Sequence, residues 1–447
     1  MKHKQHILIL SLFSCFIFQS LVHANDFIVS IDQGEYLSRA QSNGTVLSRN
    51  TSAALVIQKT LDQLKPSGGS IQLLSGDYKI EHTLKIPDRV TFFGMGVGTV
   101  LSTTEAFKGE SVLQLQKIDR STIKDLSIQI HPTENKHSGI IIEQSGSCVI
   151  ENVTVTGASE CGIWMRDRSF LCEIKSCQLA DSKRAGIFLQ KFDGDGKAGD
   201  FIPNLITNCT IFGGGYGIEC DMAILANIIG CQIFMTNSYG IYAYNFSDSV
   251  LITACRTFQV RSDALVFENA HEVNISGNIF CWQEGHGIVL NGTTWGTVSN
   301  NQCIDSGHIN IPPTPGEPYS LMVDIPEGLD IMENLKCGIR IINGAKGLTI
   351  SDNAIYNWGT NPPLLHGIFE DETCSNNLIS GNNLNYSRKS GVLAQGNNSS
   401  AVDNLSVDEK PYMGAENIAA KRLHRYNPAQ LEQWIKTLKN VKVDRNQ

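Results

Sequence analysis

Several things are scarce in this sequence of 447 residues, and each scarcity closes off a class of protein. Positive charge is in deficit. The formal net charge is −8, so the basic patch that nucleic acid demands has no compositional basis. Long apolar runs are missing beyond the first two dozen residues, and no later stretch approaches the roughly 20 residues of a membrane helix. CxxC pairs and Cys/His clusters are absent, which argues against a zinc site. Long helical periodicities are few. Leucine-rich and hexapeptide consensus repeats do not occur, so those solenoids are excluded.

The opening segment reads as an export signal. Lys2 and Lys4 give a positive start, Ile7 to Phe18 form a short apolar core, and Val22-His23-Ala24 ends in a small residue suited to cleavage. Residues 1–24 are therefore expected to be a signal peptide, and the location secreted or periplasmic. Thirteen cysteines in such a context suggest disulfides. Yet Cys177, Cys209, Cys231 and Cys255 share one column of the repeat described next, where small buried thiols would stack rather than bridge.

That repeat is the strongest signal in the chain. Glycine followed by alternating apolar residues returns at Gly139, Gly162, Gly186, Gly217, Gly240, Ala264, Gly287, Gly338, Gly367 and Gly391. The base period is 23 to 24 residues, stretched by three insertions. A second column runs in phase through Val153, Cys177, Cys209, Cys231, Cys255, Asn278, Asn301, Asn353 and Asn382. Each period then holds two or three short strands separated by tight turns, stacked about 4.8 Å apart on the next period. Asparagine suits such a turn because it tolerates left-handed backbone and can bond its neighbour's amide.

The pattern resembles the pectin-lyase-like right-handed parallel β-helix superfamily over roughly residues 70 to 405. The resemblance implies an all-β solenoid with its asparagine ladder between the second and third strands of a coil. A capping helix over residues 51–64, with Leu55, Ile57, Leu61 and Leu64 on its apolar side, would close the N-terminal end. A short C-terminal helix, opened by Asn427-Pro428 and carrying Leu431, Trp434, Ile435 and Leu438, would close the other. The expected division is a β-helix over 25–405 and a tail over 406–447.

Strand alternation locates the candidate chemistry. Positions one and three after each glycine should face the core, and positions two and four should face out. The outward set includes Trp164, Arg166, Phe188, Glu219, Asp221, Tyr242, Tyr244, Glu268, Asn291 and Arg340. Aromatic platforms beside acids and amides are what sugars require. Asp221, Glu268, Tyr244 and Glu219 are the catalytic candidates. Trp164, Arg166, Phe188, Lys191, Tyr242, Asn291 and Arg340 are the substrate-binding candidates, with Arg261 a further possible base. Asp221 and Glu268 stand two coils apart, about 9.6 Å from strand spacing, a reach open to an inverting glycosidase. A lyase would need only one base beside a uronate. The insertions after Gly186 and before Gly338 and Gly367 would stand beside this face.

Gly285-His286-Gly287 and Gly338-Ile339-Arg340-Ile341 resemble motifs of polygalacturonase-type hydrolases. The single aspartate at Asp263 and the Ile342 in place of lysine depart from that family, so its catalytic assignment is not transferred. "DGDGKAGD" resembles a calcium loop without the late glutamate of an EF-hand. Calcium at Asp193, Asp195 and Asp200 is one reading and a polar loop the other. The superfamily resemblance implies a monomeric polysaccharide-processing enzyme acting by β-elimination or hydrolysis. A non-catalytic glycan-binding or adhesin-like β-helix is the alternative.

Overall fold

A computed structural model describes residues 26–190, 203–307, 309–311, 321–323, 336–356, 364–385, 387 and 390–407. The expected signal peptide, the calcium loop with Lys191, and the C-terminal helix lie outside the described residues, as does most of the longest insertion.

The described chain winds into a right-handed parallel β-helix, the architecture that the repeat implied. Each coil contributes one strand to each of three parallel stacks. In the coil that begins at Tyr216–Asp221, the second strand is Ala226–Ile229 and the third is Gln232–Phe234, and Ile241–Tyr244 then starts the next coil. The first stack runs from Ser138–Glu143 through Cys161–Arg166, Ala185–Gln190, Tyr216–Asp221, Ile241–Tyr244, Leu265–Glu268, Ile288–Asn291, Cys337–Ile342 and His366–Glu370 to Ser390–Ala394. Its register is residue for residue, so Ile187, Ile218, Ile241, Leu265, Ile288, Ile339 and Ile368 sit on one another and all are buried. Each such side chain contributes roughly 1.5–3 kcal/mol by leaving water.

The turn between second and third strands is sharp because one residue adopts left-handed backbone in each coil. Ser176, Asn208, Gly230, Ala254, Gly277, Asn300, Asp352 and Gly381 all do so. The next residue points inward and forms the ladder. Asn278, Asn301, Asn353, Asn382 and Asn404 pass amide hydrogen bonds from coil to coil at 2.8–3.0 Å. Each amide also donates to a second-strand carbonyl one coil back, as Asn301 Nδ2 does to Ile275 O at 2.9 Å. Upstream the same inward position is cysteine. Cys177, Cys209, Cys231 and Cys255 donate their thiols to the equivalent carbonyls of Ile150, Ile174, Ile206 and Ile228 at 3.6–3.9 Å. All twelve described cysteines are free.

The N-terminal end is more elaborate than the repeat suggested. Asp26–Asp32, Glu35–Ala40 and Val46–Asn50 form an antiparallel meander, and the first of these pairs in parallel with Gly69–Leu73, so it begins the second stack. The helix Ala53–Leu64 starts where Ser52 accepts from the Leu55 backbone N–H at 3.4 Å. Val56, Ile57, Leu61 and Leu64 are buried against the first coils. Leu55, expected on that apolar side, is 59% exposed, because the buried stripe is centred on Val56.

The ladder predicts a sharp stability dependence. Asn301→Ala strands the Ile275 carbonyl and both donors of Asn278, and should cost about 3 kcal/mol in denaturant unfolding. A loss below about 0.5 kcal/mol would count against the ladder as a load carrier. Mass spectrometry of unreduced peptides should find Cys209 and Cys231 as thiols, and a 209–231 disulfide would contradict the stack.

Candidate functional site

The outward side of the first stack is not an open surface. From Ile141 to Asp371, every member of the two expected columns is buried or half-buried. Polar side chains and rings cover one another in a connected chain across six coils, from Glu143 to Glu268.

At the N-terminal end Arg166 is clamped by two acids. Its guanidinium donates to Glu143 at 2.6 and 3.0 Å and to Glu110 at 2.5 and 2.9 Å, and it lies 4.5 Å from the Trp164 ring centroid. Burial would raise the Glu143 carboxyl, but hydrogen bonds from Gln116 and Arg166 outweigh it and hold the group below its ordinary value. Trp164 stacks on Phe188 with centroids 5.6 Å apart, and Arg184 covers Phe188 at 3.9 Å. Phe188, expected as an open sugar platform, is fully buried. Its ring belongs to a small outer cluster with Cys161, Ala185, Trp164 and Tyr216, separate from the main core.

The centre is built on Glu219 and two tyrosines. Arg184 grips Glu219 through Nε at 2.9 Å and Nη2 at 3.0 Å. Tyr244 donates to the same carboxylate at 2.8 Å from the next coil. Tyr242 reaches the other way and donates to Glu268 at 2.6 Å. The two phenol rings stack at 4.4 Å, and Tyr216 and Tyr239 pack against Tyr242 at 5.8 and 5.0 Å. Burial first, then the facing carboxylates, push both Tyr242 and Tyr244 well above the ordinary phenol range. Both therefore keep their protons and act as hydrogen-bond donors at neutral pH. Asp221 is half-buried and accepts from Asn245 at 2.9 Å. The strand register puts Tyr244 beside Asp221, so Asp221 and Glu268 do stand two rungs apart.

Downstream, Asp263 is half-buried and accepts the His286 backbone N–H at 2.6 Å. His286 Nδ1 accepts the Cys337 N–H at 2.8 Å, and its Nε2 stands 3.4 Å from Arg340 Nη1. Burial, then Lys336 and Arg340, push the His286 imidazole well below its ordinary value. Arg340 Nε is buried with no acceptor. Asn291 accepts from Asn343 at 2.8 Å at the edge of the face. No group of three or more metal-ligating side chains occurs among the described residues.

Sequence reasoning missed Tyr216 and Tyr239, whereas Asp263 and His286 were singled out through the polygalacturonase-type resemblance. Strict alternation would turn Tyr216, Tyr239, Asp263 and His286 inward. The glycines break that alternation. A Cβ at Gly217 would lie 2.5 Å from Ile233 Cγ2, so the backbone itself presses on the core there and its predecessor faces out. The run of large and polar residues in that column was the available signal. Arg184 and Glu110, which hold two of the expected residues in place, lie on neighbouring segments that no repeat column marks.

The family model for a right-handed β-helix region matches residues 99–198 and 138–303. No curated protein sequence gives a match. Among solved structures, the chain is similar to the A-module of mannuronan C-5 epimerase AlgE6 of Azotobacter vinelandii. The identity is 11% and the TM-score 0.64, over 80% of this chain and 96% of that one. The Dettilon tailspike protein gp208 aligns at 16% identity and TM-score 0.57, over 78% of this chain and 65% of that one. Bacteriophage CBA120 tailspike protein 3 aligns at 11% and 0.51, over 80% and 59%. At these identities the likeness is one of fold, and the chain is a right-handed parallel β-helix protein.

His286 gives the fold a signature in acid. Because its folded value is lowered, the unfolded chain takes up a proton first as pH falls below about 6.5, and stability drops there but not above. Melting temperatures from about pH 7.5 to about pH 5 should fall less steeply in His286→Gln than in the parent. An equal slope would contradict the assignment.

Proposed function

We propose that this chain is a polysaccharide-processing enzyme working on the outward side of the first strand stack. The observation that carries the reading is the paired diagonal at its centre, Tyr244 to Glu219 and Tyr242 to Glu268, with the two phenols stacked between the acids. A scaffold that needed only solubility would not bury carboxylates and phenols on its outer side, where desolvation costs several kcal/mol per charge.

The chemistry assigned to this site is proton transfer at a sugar ring. Glu268 and Asp221 serve as base and acid, Tyr242 and Tyr244 as donors to developing oxyanions, and Glu219, gripped by Arg184, as the anchor that positions Tyr244. A uronate chain suits the site best. Arg340 has an unused buried N–H, and Lys336 adds positive charge beside it. The mannuronan epimerase with the same fold acts, by its name, on a polymer of that kind. Elimination is favoured over hydrolysis, because two phenols held as hydrogen-bond donors stand stacked between Glu219 and Glu268. Extracytoplasmic location, a β-helix unit over 25–405 with a C-terminal tail, monomeric state and calcium at Asp193, Asp195 and Asp200 belong to the same proposal.

A second reading, a non-catalytic glycan-binding β-helix, is favoured by one observation. Glu143, Glu219, Asp221 and Glu268 all have partners inside the protein already.

Incubation with a polysaccharide panel separates the two, read by absorbance near 235 nm for unsaturated ends and by reducing ends. Turnover of a uronate polymer with a rise in absorbance is expected. Asp221→Asn and Glu268→Gln should each lower it at least about a hundredfold with the fold retained, and Trp164→Ala should mainly raise KM. Both acid variants, stably folded and fully active, would move the chemistry elsewhere.

A further inference from the structure

Exposed aromatic rings are not scattered over this molecule. Four described ones are prominent: Phe170, Phe212, Phe246 and Trp295. Three of them, all but Phe212, lie on a single edge: Phe170 and Phe246 in the turn that leads from the first strand of a coil to the second, and Trp295 at the start of the second strand Thr294–Ser299. Phe246 is 63% exposed, Trp295 59% and Phe170 38%.

Each of these rings is held against the protein on one side. Phe246 stacks on His271 of the next coil, centroids 5.9 Å apart and planes 8° apart, and His271 Nδ1 meets Thr294 Oγ1 at 2.5 Å. Trp295 lies over Gly347 so closely that an added Cβ would stand 2.8 Å from its ring. Phe170 covers Gly146 in the same way, at 2.5 Å. Phe246 and Trp295 both have left-handed backbone, with φ of 63° and 60°. That conformation suits glycine or asparagine and is an outlier for a bulky ring. The same turn is left-handed in other coils, at Arg168 and Leu171 and at Ser249 and Glu272, so this backbone is a property of the turn and the rings are side chains that it carries outward.

We propose that this edge is a glycan track, continuous with the candidate site and running parallel to the helix axis. Phe246 follows Tyr244 by two residues, so the track starts where the central cluster ends. Phe246 and Trp295 are two rungs apart, about 10 Å. Phe246 and Trp295 are flanked by the polar groups of Asn245 and Thr294, which suits alternating ring faces and hydroxyls of a sugar chain, while Phe170 has the exposed Leu171 beside it. A protein partner would call for a contiguous apolar patch instead. The track rests on the proposed polysaccharide reading and adds to it the path taken by a long chain beyond the reacting sugar.

Affinity electrophoresis of the full chain through gels containing mannuronan, polygalacturonate or α-1,3-glucan tests it. The parent should be retarded by one polymer. Phe246→Ala with Trp295→Ala should weaken that retardation about tenfold, the size expected for two aromatic contacts. Trp295→Tyr should restore most of it, and Phe212→Ala should leave it unchanged. Equal retardation of parent and double variant overturns the track while the catalytic reading stands. No retardation of the parent by any polymer overturns both. A parent dimer that dissociates in the double variant assigns the edge to self-association and overturns the track as well.

Discussion

The buried ladder at the second turn is the constraint on which everything else depends. A parallel solenoid can slip: neighbouring coils present similar strands, and a one-residue shift would reverse every side chain. Asn278, Asn301, Asn353, Asn382 and Asn404 prevent this because each amide must both give to and accept from a fixed rung. A shifted coil would leave buried donors and acceptors unpaired, at a cost of about 1–3 kcal/mol each. The thiols of the upstream coils occupy the same position with weaker, longer bonds, so packing carries more of the register there.

Fixed register is what allows a site to be assembled from separate coils. Glu219, Tyr244 and Glu268 come from three coils, and the Tyr244–Glu219 and Tyr242–Glu268 bonds are diagonals that only the observed stagger permits. The site also draws on Arg184, which leaves the backbone before its strand's glycine, and on Glu160, which accepts from Arg184 Nη1 at 3.4 Å. Arg184 thus bridges two of the acids, while Asp221 and Glu268 are met by neutral donors, Asn245 and Tyr242. The phenols, kept protonated by burial and by the facing acids, act as fixed donors rather than titrating groups near neutrality.

Much of this was legible before any coordinates. The period of 23 to 24 residues, the inward pairs after the glycines and the ladder column follow from side-chain periodicity alone, and the structure has them in those places except in the last coil, where Val392 is half-buried and Ala394 exposed. What escaped has a physical reason in each case. Tyr216 and Tyr239 face out because alternation fails where a glycine presses on the core. Phe188 is buried because Trp164 and Arg184 sandwich it, a tertiary arrangement with no signature in its own strand. The antiparallel meander over 26–50 escaped because it lies outside the repeat and shares none of its spacing.

The central claim is that a glycan lies along the outward side of the first stack. The most direct measurement is a crystal structure of the Glu268→Gln variant soaked with an oligosaccharide of the polymer that the parent turns over. The account places sugar rings against Tyr242 and Tyr244, with an oxygen near Arg340 Nε. Sugar density confined to the outer sides of the second or third stack, around Asn227–Leu251 or Phe234–Phe258, would contradict it.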